Sequence, residues 1–174
     1  DLSDLPSILA IGGNDKGQRI EYAYGGLSWG KGEPVKTSSI FRIHSMTKLV
    51  TSIAVMQLVE QKKLNIDQNL DELLPSMTRI PILTPEGGFV KGEEIITLRH
   101  LLTHTAGFGY PNATYKLHPA FDAERWDYED FPRQFESGTR FLYGTNTDWV
   151  GKLVEQVSGM TLEVYFKKNL FKFL

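Results

Sequence analysis

The chain has 174 residues, of which 41% are hydrophobic and 23% charged, and its formal net charge is −2. These proportions are typical of an ordinary globular protein, and the absence of a basic stripe argues against a nucleic-acid partner. The lack of cysteine excludes disulfides and thiolate chemistry, and no apolar run approaches the ~20 residues that cross a bilayer.

The first elements predicted are two β-strands. The runs ILAIGG and RIEYAYGGLSW are rich in β-branched and aromatic residues, and residues 14–17 between them have turn chemistry. A lone hairpin is only marginally stable in water, so we expect further strands or a helix to cover it.

Helices and loops are predicted after the hairpin. Residues 46–59 carry little polar surface, which predicts a helix buried on most sides. NIDQNLDELLP predicts a short amphipathic helix closed by Pro75, and the proline- and glycine-rich residues 79–94 predict an irregular excursion. Thr97 is the expected cap of a further helix, which Gly107 should end.

The C-terminal part is predicted to be helical beyond an aromatic-rich loop that ends at Phe141. Thr145 and Asp148 have capping-box spacing, apolar residues then recur with a helical period, and Gly159 is the expected stop. A last helix should begin near Thr161. We therefore expect two parts: the hairpin with its following helix in residues 1–62, and a mostly helical subdomain in residues 63–174.

The stretch FRIHSMTKLV places Ser45 and Lys48 at i and i+3 where the first helix should begin, so that their side chains can approach each other. A lysine activates a serine only when its amine is largely neutral, and burial in the apolar run would lower the pKa of Lys48. The alternative is that Ser45 caps the helix beside an ordinary surface lysine.

Two other observations bear on this choice. A second Ser-x-x-Lys, from Ser28 to Lys31, lies in glycine-rich strand-end or turn sequence, where no helix fixes the geometry, and it serves as an internal control. Tyr143 is expected in a turn just before a capped helix. Beside a lysine ammonium its phenolate would be stabilised, so that the pair could relay a proton, while packing at the helix entrance is the alternative.

Three blocks of the sequence, in order, resemble one family: IFRIHSMTKLVTSIAVMQLVEQKKLNIDQNLDELLP, ITLRHLLTHTAGFGY and GTRFLYGTNTDWVGKLVEQVSGMTLEVYF. It is the family of serine β-lactamase and penicillin-binding-protein-like hydrolases, in particular the carboxylesterase and acyltransferase branch related to class C β-lactamases. The resemblance implies an α+β, β-lactamase/transpeptidase-like fold. An antiparallel sheet, of which this chain would hold only the N-terminal hairpin, would pack on a buried helix beside a mostly helical subdomain.

The resemblance also implies roles for individual residues. Ser45 would be the acylated nucleophile, Lys48 its activating partner and Tyr143 the tyrosine of the second motif. In the β-lactam-directed members that motif is Tyr-x-Asn, whereas its third place here is Thr145, which fits the esterase branch better. Thr145 is therefore a candidate substrate-binding residue. Phe108 and Tyr110 are further candidates, as the lining of an acyl pocket, with core packing as the alternative for each.

The implied activity is that of a carboxylesterase-like serine hydrolase or acyltransferase, which acts on small-molecule esters or amides through an acyl-enzyme and needs no cofactor. A β-lactamase or D-peptidase is the alternative enzyme, and a catalytically silent binding or scaffold relative is the alternative from another class. Family members continue into a third motif and a strand that supplies the second oxyanion-hole amide. Without that strand the chain would lack one donor of its oxyanion hole, and losing one such donor typically lowers the rate about 10²–10³-fold. We therefore expect a C-terminal segment or a second chain to complete the sheet.

Other patterns are set aside. His100 and His104 have zinc-binding spacing on a predicted helix and His118 could be a third ligand, but we expect structural histidines and no metal site, because the glutamate of the metalloprotease motif is absent. The glycosylation triplet at 112–114 would matter only in a secreted protein, and the acidic residues at 122–130 are expected in a solvated loop. No feature identifies the localisation.

Overall fold

A computed structural model of the chain describes residues 5–28, 31–110, 129 and 131–173. The strands are β1 (Ser7–Gly13), β2 (Arg19–Ser28), β3 (Lys31–Pro34), β4 (Ile82–Leu83) and β5 (Phe89–Val90). The helices are α1 (Thr47–Glu60), α2 (Pro75–Thr78), α3 (Leu98–Leu102), α4 (Asn146–Ser158) and α5 (Leu162–Asn169), with 3₁₀ turns at His44–Met46 and Phe171–Phe173. Among these helices none has the length and apolar character needed to cross a membrane.

The chain forms two compact units, Asp1–His44 and Ser45–Leu174. The boundary between the units precedes α1, because this helix packs against α4 in the second unit. The division expected after residue 62 stays a prediction. The glycosylation triplet at 112–114, His118 and most of the acidic residues at 122–130 lie outside the described residues. Of that acidic group, Glu129 is described and pairs with Lys152 at 2.6 Å.

The first unit contains an antiparallel sheet in the order β1-β2-β3. The predicted hairpin is confirmed: Ala10 lies opposite Tyr22, and the Asn14 side chain closes the turn by accepting hydrogen bonds from the backbone N–H groups of Lys16 and Gln18 at 3.0 and 3.1 Å. Strand β3 was not predicted, because its glycine-rich sequence carries no strand signal. Ser28 lies opposite Lys31 across this second hairpin, so the second Ser-x-x-Lys copy belongs to paired strands and not to a helix.

Strand β2 exposes an apolar face. Ile20, Tyr22 and Tyr24 alternate along the strand and therefore point to the same side of the sheet, where they remain 78%, 47% and 41% exposed.

The core of the second unit is built from helices α1, α3, α4 and α5. Its fully buried side chains include Leu58, Leu70, Leu98, Leu101, Leu153 and Trp149. Helix α1 contributes one face of Thr51, Ala54, Val55 and Leu58, whereas Leu49, Ile53 and Met56 on its other side are exposed. The predicted burial of α1 on most sides therefore holds for one face only.

The amphipathic helix predicted for NIDQNLDELLP is wrong. The side chains of Asn65 and Asn69 accept hydrogen bonds from the backbone N–H groups of Asp67 and Asp71 at 2.9 Å each. Such turns satisfy the backbone locally and compete with helix formation. Pro75 does not close a helix but opens α2, where a proline at the first helical position loses no hydrogen bond.

Most of the other predicted helix limits agree with the structure. Thr97 and Thr161 cap α3 and α5 by accepting hydrogen bonds from the N–H groups of His100 and Val164. Gly159 ends α4 in the left-handed conformation, with a φ of 67°. Two details differ: α3 ends at Leu102, well before Gly107, and the side chain of Thr145 forms no capping hydrogen bond at the start of α4.

The buried face of α1 should carry much of the stability of the second unit. We expect Leu58→Ala to lower the free energy of unfolding by about 2–5 kcal/mol, because Leu58 is completely buried and its truncation leaves a cavity. Leu49→Ala on the same helix is the matched control, since Leu49 is 68% exposed and its change should stay within about 0.5 kcal/mol. Urea denaturation of both variants measures the difference, and equal losses would contradict the assigned core.

Candidate active site

Ser45 lies in the 3₁₀ turn that leads into α1 and is exposed to solvent. It does not cap the helix: the N-cap position is Met46, and no side chain caps α1. The preceding residue, His44, has a φ of 44°, which is unusual for a residue with a side chain and marks a constrained backbone just before the serine. The serine hydroxyl is thus presented at the helix N-terminus with its hydrogen-bonding capacity free for other partners.

Lys48 is the centre of the polar contacts around Ser45. Its Nζ donates to Ser45 Oγ at 3.4 Å and to the hydroxyl oxygen of Tyr110 at 2.9 Å. The same Nζ lies 5.1 Å from the ring centroid of Tyr143 and 5.7 Å from that of Tyr110, within the range of cation–π attraction. One ammonium therefore joins a serine and two tyrosines.

The electrostatics of this group differ from the sequence-based expectation. Partial burial by itself lowers the pKa of Lys48, but hydrogen bonds to Tyr110 and Tyr143 outweigh burial and raise that pKa above its ordinary value. The lowering of the Lys48 pKa that was expected from burial is thus not found, because its amine lies among hydroxyl groups. The pKa of Tyr143 is lowered, first by its hydrogen bond with Ser45 and then by Lys48. The arrangement favours a charged lysine and an acidified tyrosine.

The turn that carries Tyr143 is tightly packed. The tyrosine ring is 43% exposed, meets the Tyr110 ring edge-on with centroids 5.8 Å apart, and lies 4.6 Å from the His104 ring. A Cβ on Gly144 would fall 2.3 Å from the carbonyl oxygen of Phe108 and 2.6 Å from the Cα of Gly109. Only glycine fits at this position, so the Tyr143 turn and the 108–110 loop lie in direct contact.

The candidate substrate-binding residues lie in different environments. Tyr110 contacts Lys48 Nζ, which also contacts Ser45 Oγ. The Phe108 side chain is 1% exposed and belongs to the core, with its ring 5.9 Å from that of Trp149, which is the packing alternative. Thr145 is 5% exposed. Substrate contacts by these three residues stay predictions.

The two histidines with zinc-binding spacing do not share a helix face. Because α3 ends at Leu102, His104 lies beyond it, in the left-handed conformation with a φ of 55°. In the described part of the chain, no three histidine, aspartate or glutamate side chains are grouped to hold a metal ion.

Asn146 is a residue of this site whose role the sequence did not reveal, beyond its offset from the Tyr-x-Asn motif. It is completely buried, and its Nδ2 lies 2.9 Å from the carbonyl oxygen of Phe108, 3.1 Å from His104 Nδ1 and 3.3 Å from the carbonyl oxygen of Leu142. Its burial had no sequence signal, because α4 begins with the polar run Asn-Thr-Asp; a buried amide is retained where it is hydrogen-bonded.

Solved and curated proteins resemble this chain. The monacolin J acid methylbutanoyltransferase of Aspergillus terreus is 34% identical over 155 residues, which are 79% of this chain and 37% of that protein. The lovastatin esterase of Penicillium rubens is 31% identical over 164 residues, 82% of this chain and 39% of that protein. A mutant of the simvastatin synthase of Aspergillus terreus superposes with a TM-score of 0.82 at 28% identity, over 95% of this chain and 44% of that structure.

The chain thus spans well under half the length of these relatives. The predicted α+β, β-lactamase/transpeptidase-like fold is confirmed, as is the similarity to esterases and acyltransferases. A family model named Beta-lactamase matches residues 7–174, and the chain therefore belongs to the Beta-lactamase family.

Proposed function

We propose that this chain carries the nucleophile and proton-transfer groups of a serine esterase or acyltransferase that works through an acyl-enzyme. The observation that carries the proposal is the contact of one lysine ammonium with both Ser45 and Tyr110, beside an acidified Tyr143. A serine hydroxyl needs a base to become a nucleophile, and a tyrosine of lowered pKa next to a fixed positive charge can serve as that base.

The reaction would proceed in two steps. Ser45 Oγ attacks the ester carbonyl carbon while its proton passes to the Tyr143 phenolate; the tetrahedral intermediate then expels the alcohol, which takes that proton. Water or an acceptor alcohol next attacks the acyl-Ser45 carbonyl, gives its proton to Tyr143, and releases the acid or the new ester as Ser45 is reprotonated. Throughout, Lys48 stays charged and stabilises the phenolate, and the N-terminus of α1 favours negative charge beside Ser45.

The substrate class we propose is a small-molecule ester, in agreement with relatives named as a methylbutanoyltransferase and a lovastatin esterase. β-Lactam hydrolysis is less favoured for a specific reason. Thr145 occupies the third place of the second motif, and the Asn146 amide next to it donates to the carbonyl oxygens of Phe108 and Leu142, so it is turned into the core.

We also propose that further strands, from a C-terminal segment or a second chain, complete the sheet and provide the second oxyanion donor. Two observations support this: the chain spans 37% of the first relative's length, and the side chains of Ile20, Tyr22 and Tyr24 are exposed on one face of the sheet. Apolar faces of this kind are normally covered by another layer.

The decisive experiment is labelling with a fluorophosphonate probe, followed by intact-mass analysis and peptide mapping, on the 174-residue chain and on the protein at its native length. We expect a single adduct on the peptide that contains Ser45. Turnover of a short-chain nitrophenyl ester and of a chromogenic cephalosporin should then favour the ester. An unlabelled native-length protein would refute the acyl-enzyme, and preferential cephalosporin turnover would assign the alternative activity.

Tyr110→Phe tests the partner of Lys48. The change removes the hydroxyl that accepts the 2.9 Å hydrogen bond from Nζ. Hydrogen bonds to charged groups contribute about 1.5–3 kcal/mol, so we expect the rate of Ser45 acylation to fall by about 10-fold to 150-fold. Tyr22→Phe on the exposed face of β2 is the matched control and should leave the rate unchanged. Stopped-flow measurement of nitrophenol release checks both, and an unaltered rate in Tyr110→Phe would remove Tyr110 from the site.

A further inference from the structure

His104 contacts Tyr143 and the residues before and after it in the same turn. Its backbone oxygen accepts a hydrogen bond from the Leu142 N–H at 2.8 Å, and its ring lies 4.6 Å from the Tyr143 ring and 6.1 Å from that of Phe141. Its Nδ1 lies 3.1 Å from Asn146 Nδ2, and the Gly144 N–H points to it at 3.5 Å. The histidine therefore touches the tyrosine and residues on both sides of it.

The hydrogen-bond partners determine which nitrogen carries the proton. The Gly144 backbone N–H, which points to Nδ1, can only donate, while the two hydrogens of the Asn146 NH₂ are shared among the carbonyl oxygens of Phe108 and Leu142 and His104 Nδ1. Nδ1 of His104 must therefore accept, which places the proton of the neutral ring on Nε2. A protonated imidazole would direct a third N–H at these two donors and break both contacts.

The surroundings also disfavour the charged ring. Burial is the largest cause that lowers the pKa of His104, and the Lys48 ammonium on α1 lowers it further, whereas Asp148 on α4 acts in the opposite direction. The Tyr143 ring lies 4.6 Å from the imidazole ring, tilted by 41°. Its neighbours thus support the neutral state that the hydrogen bonds require.

We propose that His104 is the positioning residue that holds Tyr143 against Lys48, and that it does so only in its neutral form. This inference rests on the proposed role of Tyr143 as the base. It adds a second condition for activity: the tyrosine must be ionised, and the histidine behind it must not be protonated. At low pH the site therefore loses activity for two reasons: Tyr143 is protonated, and so is the His104 that positions it.

Two substitutions separate positioning from bulk packing. In His104→Asn, Oδ1 can take the place of Nδ1 as acceptor, and asparagine tolerates the left-handed backbone at a φ of 55°. In His104→Gln the acceptor moves to the Nε2 position, so that Gly144 and Asn146 lose their partner. His100→Gln, in α3, is the control for losing a histidine elsewhere in the same unit.

The first measurement does not depend on turnover. In the native-length protein, long-range ¹H–¹⁵N spectra should show Nδ1 of His104 unprotonated, and ¹³C-tyrosine titration should show the pKa of Tyr143 rising toward 10.0 in His104→Gln but not in His104→Asn. A proton on Nδ1, or an unchanged Tyr143 pKa in both variants, would overturn the inference whether or not the protein hydrolyses esters.

The second measurement is the pH profile of Ser45 acylation. In the wild type and in His100→Gln, the logarithm of the rate should fall with a slope of one below the pKa of Tyr143, and with a slope of two once His104 also protonates, below its ordinary value of 6.5. His104→Asn should keep a slope of one throughout. His104→Gln should lose on the order of 10-fold to 100-fold in rate, the cost of a misplaced catalytic group. A slope of two in His104→Asn would contradict the positioning role.

Discussion

Ser45→Ala is expected to lower the rate of ester turnover by at least about 10⁴-fold and to abolish labelling by the fluorophosphonate probe. Removing the nucleophile of an acyl-enzyme pathway removes the covalent step, and only binding and the remaining electrostatic groups are left to act on the ester. Among the described residues, Ser45 is the serine whose Oγ accepts a hydrogen bond from Lys48 Nζ, at 3.4 Å.

The chain offers a matched control for this substitution. Ser28 has the same Ser-x-x-Lys spacing, but it lies opposite Lys31 in paired strands and not at the start of a helix. Ser28→Ala should keep full turnover and full labelling. If Ser45→Ala kept its activity, or if both variants lost it equally, the assignment of the nucleophile would be wrong.

Lys48→Met is expected to lower the acylation rate at neutral pH by about 10²–10⁴-fold, the contribution typical of a positioned base. Without the ammonium, the pKa of Tyr143 should return toward its ordinary value of 10.0, so that less phenolate is present at pH 7. The sign is definite: the acid limb of the pH–rate profile moves to higher pH, and part of the lost rate returns at alkaline pH.

Lys48→Arg decides between two readings of the lysine. If the positive charge beside Tyr143 is what matters, arginine, which is always charged, should keep the acid limb near its wild-type position. A neutral amine acting as the base would make Lys48→Arg as inactive as Lys48→Met, with no recovery at high pH. Tyr143→Phe completes the cycle: the double variant with Lys48→Met should be no worse than Tyr143→Phe alone, because the two residues act as one unit.

Local signals in the sequence predicted much of the fold. Thr97, Gly159 and Thr161 were recognised as helix limits because caps and left-handed stops depend on the residues themselves and their immediate neighbours. The hairpin was found for the same reason, since Asn14 and its turn specify it locally.

The wrong predictions have two causes: side chains that compete with the helix for backbone hydrogen bonds, and burial that depends on the tertiary structure. Residues 65–74 have a helical pattern, yet Asn65 and Asn69 satisfy the backbone with their own side chains. The exposed side of α1 carries the same kind of residue as the buried side, so composition cannot tell Leu49 from Leu58. Arg133 shows the reverse: a charged residue, 1% exposed, donates to the Ile80 carbonyl oxygen and to Ser137 Oγ. One of these two partners, Ile80, is distant in the sequence, so the local sequence does not reveal the burial.

The sequence predicted which residues form the candidate site better than it predicted their charge states. Ser45, Lys48 and Tyr143 followed from spacing and family resemblance, whereas the state of the lysine depends on Tyr110, which lies far along the chain and accepts its shorter hydrogen bond. The contacts of His104 and Asn146 depend on a backbone turn that no periodicity encodes.

The packing of Gly144 limits the substitutions that this part of the candidate site can accept. A side chain at this position would collide with main-chain atoms of Phe108 and Gly109, which cannot rotate away. Saturation libraries that include Gly144 will therefore mostly return misfolded clones. Phe141 is 69% exposed and has room for other side chains, but its ring contacts His104, so a substitution there also changes the surroundings of Tyr143.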